Sequence, residues 1–397
     1  MKYIIVVPDG AADYPCEELK GKTPLDVAGT PNMDRLAREG VVGRVRTVPK
    51  GFLASSDIAN LSLLGYSPEK YYTGRGPLEA ANLGVDLGEK DVVFRCNFIS
   101  EIDGKLADYS AGHITNEESR ILIDSLNREI SDSNTHFVAG VSYRNLLLFK
   151  GGYQSGLHKV KCFPPHDIIG RPISKYLPQG KAAGILKEIM NKSREVLAGH
   201  EINSVRIDLK ENPANMIWLW GQGVKPDMPL FSEKFDKKCA IISAVDLIKG
   251  IGKITGMNVI EVEGATGYYD TNYSGKAEAA LKALEEVDLV YVHIEATDEA
   301  GHNQDLRMKI ACLERIDRMV LGLFLKERNM DDTRILVVPD HFTPVSIRTH
   351  TPEPVPFVIA GKGIPKSIAS VYSEEESQQS NLYFEEAPLL MEYLLKD

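Results

Sequence analysis

Residues 1–10 read MKYIIVVPDG, an unbroken apolar, largely β-branched run from Tyr3 to Val7 that stops at Pro8 and Asp9-Gly10. A continuous run, unlike an alternating one, is what a strand buried on both faces of a parallel sheet requires. An aspartate directly beyond such a strand stands where open α/β sheets bind ligands, at the carboxyl ends of the strands. The run is too short for the apolar region of a signal peptide and leads to no cleavage site.

Working outward, Thr30-Pro31-Asn32 precedes Met33, Leu36 and Ala37. This spacing predicts a helix with Thr30 as its N-cap and Pro31 at its first position. The same strand, loop and helix style returns in the second half. Strands are expected at Cys239 to Val245, Val287 to Ile294 and Ile335 to Val338, with a last one at Val355 to Ile359, and helices at Asp246 to Thr255 and about Leu306 to Lys326. Between 87 and 207 the texture changes to short strand-like runs (Val92 to Ile99, His136 to Val141, Asn145 to Lys150) and helix-like segments such as Asn116 to Ile130. The prediction is therefore an α/β protein: a mostly parallel, discontinuous core of residues 1–86 and 208–397, with an inserted α+β domain at 87–207. Gly74-Arg75-Gly76-Pro77 reads as a turn from which Arg75 could reach an anion.

A chain of 397 residues fits two domains or one with a large insertion. With 46 basic against 56 acidic residues the net charge is -10, which disfavours nucleic acid or an anionic membrane as partner, so an anionic substrate must meet a local positive site. No run approaches transmembrane length. Five scattered cysteines without a CxxC pair argue against both a disulfide framework and a thiolate zinc site, and point to a reducing, cytoplasmic compartment. No feature sets an oligomeric state.

Asp298 and His302 follow the strand ending at Ile294, Asp340-His341 follow the one ending at Val338, and His350 precedes the last strand. Singly, each is most simply a turn or cap residue. Together they change the reading: four of the nine histidines (His293, His302, His341, His350) fall in this stretch, and all but His293 lie in strand-end loops beside aspartates. Carboxylate and imidazole without thiolate suit Mg, Mn or Zn. His293, inside a strand, reads as a core or supporting residue. Ser55 and Ser56 open a helix-like run through Leu61 and Leu64. A serine there can be an ordinary cap, or a nucleophile whose alkoxide and phosphoryl group the helix terminus stabilises. P-loop, nucleophile-elbow and dinucleotide fingerprints are missing, since Ser274-Gly275-Lys276-Ala277 lacks the spaced first glycine and the hydroxyl residue.

Asp9-Gly10, Ser56-Asp57, Asp298-x-x-x-His302, Asp340-His341 and His350-Thr351, in this order and with a long insertion after the serine, resemble the alkaline phosphatase superfamily. More closely, the chain resembles the archaeal-type cofactor-independent phosphoglycerate mutases, through Thr30-Pro-Asn-Met-Asp-Arg-Leu-Ala37, the segment from Ser56 to Gly65, Gly74-Arg-Gly-Pro-Leu-Glu79 and Gly264-Ala-Thr-Gly267. The resemblance implies an alkaline-phosphatase-like core with a substrate-binding cap and the active site between them. It implies two divalent ions, Mn2+ or Mg2+ foremost with Zn2+ or Co2+ as alternatives, and no bisphosphoglycerate. Asp9, Ser56, Asp340 and His341 would hold one ion, and Asp298, His302 and His350 the other. Ser56 would be phosphorylated in turnover, chosen over Ser55 because Asp57 follows it, as 3-phosphoglycerate and 2-phosphoglycerate interconvert. Lys249 resembles the lysine beside the transferring phosphoryl group, and Asp108, His113 and Arg144 resemble residues that grip the phosphorylated substrate. Tyr109, Ser110 and His113 stand where the family most often has arginines, a variation similar to a subgroup proposed to be homoserine kinases. A homoserine-kinase-like phosphotransferase is thus one alternative, and a metallophosphatase or phosphonate-processing enzyme another.

Overall fold

The computed structural model describes residues 1–396. The chain folds as two compact units, Met1–Tyr72 with Met228–Asp397, and Thr73–Asp227.

The first unit is built on strands β1 (Lys2–Pro8), β2 (Val41–Val45), β8 (Cys239–Ile242), β9 (Asn258–Ile260), β10 (Leu289–Ile294), β11 (Thr333–Val337), β12 (Val355–Gly361) and β13 (Tyr383–Phe384). Their order in the sheet is β13-β2-β12-β11-β1-β10-β8-β9. β1 lies near the middle, parallel to β10 on one side and β11 on the other. Ile4, Val6, Val290, Val292, Ile335 and Val337 are accordingly buried in one core, as their unbroken apolar runs require. β12 departs from the parallel rule, running antiparallel to both β11 and β2. Its amino end therefore lies beside the carboxyl ends of β11 and β2, so Asp340-His341 and His350 meet at one edge. β12 is not the last strand: β13 follows and pairs with β2.

Local signals account for much of this unit. The helix Pro31–Glu39 starts at Pro31 and buries Met33, Leu36 and Ala37, as the spacing demands. The Thr30 side chain, however, makes no capping bond. Asp317 caps from afar, accepting the Asn32 and Met33 amides at 3.2 and 2.8 Å. It sits in a π turn, Ile316–Leu321, that interrupts the long helix expected from about 306 to 326 between Leu306–Arg315 and Gly322–Glu327. The strand beginning at Cys239 stops at Ile242, short of Val245.

The second unit holds β3 (Val92–Ile102), β4 (Lys105–Asp108), β5 (Thr135–Val141), β6 (Arg144–Phe149) and β7 (Met216–Gly223) in one antiparallel sheet, β4-β3-β6-β5 with β7 also on β3. The unit extends beyond the expected 87–207 at both ends for a physical reason: β7 pairs with β3, and the backbone before β3 packs on β7. The turn expected at Gly74–Pro77 is instead the start of a helix, Arg75–Asn82. Pro77 is tolerated in a first turn, whose N–H groups have no helical partner. Gly74 is needed there: its φ is +138°, and a Cβ would lie 2.1 Å from the Gln222 carbonyl oxygen. Among the described residues no helix is long and apolar enough to cross a membrane, and all five cysteines are free thiols.

Candidate active site

Two acidic and imidazole groups gather at the carboxyl edge of the large sheet. Asp9, Asp340 and His341 form one, and Asp298, His341 and His350 the other. Asp9 follows β1 directly, and Asp340-His341 follow β11. Asp298 and His302 stand one turn apart on the short helix Ala296–His302 and not in a loop, which brings His302 Nε2 3.2 Å from Asp298 Oδ2. His350 Nε2 lies 3.3 Å from Asp298 Oδ1 and 2.8 Å from His302 Nε2. The His341 and His350 rings stack with centroids 3.9 Å apart. His341 Nε2 faces Asp340 Oδ2 at 3.4 Å, Asp9 Oδ1 at 3.5 Å and Ser56 Oγ at 3.2 Å.

Ser56 is the first residue of the helix Ser56–Leu63, with Ser55 at the N-cap making no side-chain capping bond. The first-turn amides therefore lack the serine acceptor that a capped helix would give them. Asn60, one turn on, ties this helix to the site: its Nδ2 donates to Asp340 Oδ2 and to the Ser56 carbonyl, both at 2.8 Å, while its Oδ1 accepts from the Tyr291 hydroxyl.

Asp9 is the odd member. It is fully buried, yet among the described residues neither carboxylate oxygen has a hydrogen-bond partner. His293 Nε2 lies 3.0 Å from Oδ2 but is likewise without a hydrogen bond. Burial, and then the charges of Asp340, Asp298 and Glu295, push the Asp9 carboxyl well above its usual range. Burial also pushes His341 and His293 down to about 4, so both rings are neutral near pH 7. On the other side of the site, burial would lower His302 and raise Asp298. Their contact outweighs it, lifting His302 to about 9 and holding Asp298, which also meets His350, well below the carboxylate range. Orphaned buried carboxylate oxygens beside neutral imidazole and a second aspartate are a donor set that divalent cations take, and the crowding of negative charge is what such a cation would relieve. The residues present fit the implied ions.

Lys249 lies on the helix Asp246–Ile254, its Nζ taken by both Glu261 oxygens at 2.9 and 2.7 Å. In the second unit, Asp108 organises a loop: its carboxylate accepts from Ser110 N and Oγ, Gly112 N and Asn212 Nδ2 at 2.7 to 2.9 Å. Burial would raise its pKa, but these bonds hold it below the ordinary value. His113, with φ +51°, and Arg144 both approach the Tyr143 ring, at 6.2 and 5.9 Å, and Arg144 Nε is buried without a partner. Sequence reading missed Asn60, Tyr291 and Thr343. Asn60 alone carried a signal, standing four residues after Ser56 on the same helix face. Lys276, dismissed with the P-loop, is buried, donates to the His293 carbonyl at 3.0 Å and is lowered to about 8 by burial.

The first unit is thus an α/β protein with a mostly parallel sheet, whose strand ends carry two acidic–imidazole groups that meet Ser56 at the start of its helix. A sequence profile of the family described as 2,3-bisphosphoglycerate-independent phosphoglycerate mutase matches residues 37–203. The 2,3-bisphosphoglycerate-independent phosphoglycerate mutase 2 of Methanothermobacter thermautotrophicus is 51% identical over 397 residues, covering 100% of this chain and 97% of the relative. Of solved structures, a Pyrococcus horikoshii protein aligns with a TM-score of 0.84 at 32% identity, over 99% of this chain and 97% of its own. The cofactor-independent phosphoglycerate mutase of Thermoplasma acidophilum aligns at 0.68 and 29%, over 100% and 99%. The chain belongs to the 2,3-bisphosphoglycerate-independent phosphoglycerate mutase family.

Proposed function

We propose that the protein interconverts 3-phosphoglycerate and 2-phosphoglycerate without bisphosphoglycerate, Ser56 carrying the phosphoryl group between the two hydroxyls. The observation that carries this reading is the meeting of Ser56 Oγ with His341, 3.2 Å away, beside a buried Asp9 whose oxygens have no hydrogen-bond partner. Asp9, Ser56, Asp340 and His341 would hold one divalent cation, and Asp298, His302 and His350 a second. Such a pair, when bound, neutralises charge on attacking and leaving oxygens and lowers the pKa of the serine hydroxyl.

The chain's own residues do the rest. Ser56 Oγ gives up its proton and forms a bond to phosphorus as the bond between phosphorus and the C3 oxygen breaks, and the C3 oxygen of the glycerate left behind takes up a proton. After the glycerate turns, its 2-hydroxyl attacks the phosphoserine, sheds its proton and regenerates Ser56. The first-turn amides of the Ser56 helix face the phosphoryl oxygens. Asn60 fixes Ser56 relative to Asp340. Lys249, here paired with Glu261, is the lysine we assign to the transferring phosphoryl group. We assign Asp108, His113 and Arg144 to the glycerate and its phosphate, Arg144 through charge and Asp108 by shaping the loop that bears His113.

The test is a coupled assay from 3-phosphoglycerate with no bisphosphoglycerate, with Mn2+, without it and after EDTA. Metal-dependent formation of 2-phosphoglycerate is expected. No turnover by folded, metal-loaded protein would overturn the mutase reading. His113, standing where arginine is usual, makes homoserine with candidate phosphoryl donors the next substrate pair, and release of free phosphate would mark a phosphatase.

A further inference from the structure

Thr343 stands two residues beyond His341, and the function above gives it no part. Its side chain is fully buried. The single proton on Oγ1 goes to Asp298 Oδ1, since an ionised carboxylate can only accept. The same oxygen lies 3.2 Å from His341 Nδ1. With its proton committed, Oγ1 can only accept there, so Nδ1 carries the hydrogen, and the lone pair that a ligating imidazole offers falls on Nε2. Nε2 is the nitrogen that faces Ser56, Asp340 and Asp9. One hydroxyl thus touches a member of each acidic–imidazole group.

The hydroxyl is itself held firmly. Lys309 Nζ donates to the Thr343 carbonyl at 2.9 Å, and the Thr343 amide donates to the Ala12 carbonyl at 3.2 Å. Two glycines pack so closely that a Cβ on Gly10 would lie 2.4 Å from Oγ1, and one on Gly301 2.4 Å from the Thr343 carbonyl oxygen.

We propose that Thr343 is a positioning residue for both ion sites: its hydroxyl fixes the His341 tautomer that leaves Nε2 bare toward Ser56, and holds Asp298 in the rotamer that meets His302 and His350. This rests on the two-ion reading of the site. Thr343→Val keeps the shape and removes the hydroxyl, leaving the His341 Nδ1 proton and Asp298 Oδ1 without this partner. Thr343→Ser keeps the hydroxyl and removes the methyl.

The experiment titrates Mn2+ into metal-free full chain by calorimetry and records histidine-selective 15N spectra of the metal-free protein, with circular dichroism to establish folding. Wild type binds two Mn2+ per chain and shows His341 protonated at Nδ1. Thr343→Val binds Mn2+ about 10–100-fold more weakly, the loss found when partners of ligating side chains are removed, and its His341 becomes a mixture of tautomers. Thr343→Ser stays close to wild type in both readouts. Wild-type affinity and an unchanged His341 in Thr343→Val would overturn the proposal. So would a Thr343→Ser as weak as Thr343→Val, since the methyl would then be what matters. Should the valine variant not fold, Thr343→Ala against Thr343→Ser makes the same comparison. Failure of wild type to bind two ions is a different result and strikes the two-ion reading itself.

Discussion

Replacing Lys309 by Met tests how the segment between β11 and β12, which carries Asp340, His341 and Thr343, is held in place. Lys309 Nζ lies 2.7 Å from Asp13 Oδ2, and both side chains are wholly inaccessible. The same ammonium donates to the Thr343 carbonyl, while Asp13 accepts the amides of Tyr14 at 2.8 Å and of Val345 at 3.2 and 3.3 Å. In Lys309→Met the Asp13 charge stays buried with amide donors only. Breaking one side of a buried pair costs about 3–5 kcal/mol, whereas replacing both charges by neutral groups of similar volume is often near neutral. The Thr343 carbonyl also loses its donor wherever Lys309 is replaced, about 1 kcal/mol. Lys309→Met and Asp13→Asn should each lose about 3–5 kcal/mol, and the double variant far less than their sum, a coupling of at least about 3 kcal/mol. Guanidinium unfolding followed by circular dichroism measures this. Both tryptophans, Trp218 and Trp220, lie in the other unit, so their fluorescence is a separate reporter that should change less. Single variants losing under about 1 kcal/mol, or a double variant equal to the sum, would show that the two charges do not depend on each other.

Three further outcomes are expected. Ser56→Ala abolishes mutase turnover with an unchanged melting temperature, and full activity in that variant would move the role to Ser55. Gly10→Ala puts a Cβ 2.4 Å from Thr343 Oγ1 and 2.5 Å from Asp298 Oδ1 at a φ of +60°. Strain of about 1–2 kcal/mol and overpacking of about 1–3 kcal/mol should lower the melting temperature and weaken Mn2+ binding together, and an unaltered melt would contradict the packing. Glu374 is raised by burial from 4.5 to about 7, so the folded state holds its proton more tightly than the unfolded one. Wild-type stability from this group is greatest below about 4.5 and falls as pH rises to about 7, by up to about 3 kcal/mol. Glu374→Gln removes that fall, and stability curves for the two proteins that run parallel from pH 5 to 8 would show the assignment wrong.

Much of the site was legible because strand ends are legible. An unbroken apolar run such as Tyr3 to Val7 marks its own carboxyl end, and Asp9 and Asp340-His341 stand directly beyond such runs. The insertion was legible by texture, but its edges were not: β7 joins the second unit by pairing with β3, a contact between residues more than 100 positions apart. Gly74–Pro77 misled because Gly and Pro favour turns, while a proline in a helix's first turn gives up no bond.

Which segments are buried strands, and which residue types stand at their ends, can be read along the chain, because both follow from neighbours a few positions away. It takes the packed chain to bring Ser56 to His341 across 285 positions, to run β12 antiparallel and so deliver His350 to the shared edge, and to bury Asp9 where, among the described residues, neither oxygen has a hydrogen-bond partner. The same holds for Thr343. A hydroxyl has one proton, and which neighbour receives it, and hence which His341 nitrogen is bare, depends on groups from two separate segments that only the packed sheet brings together.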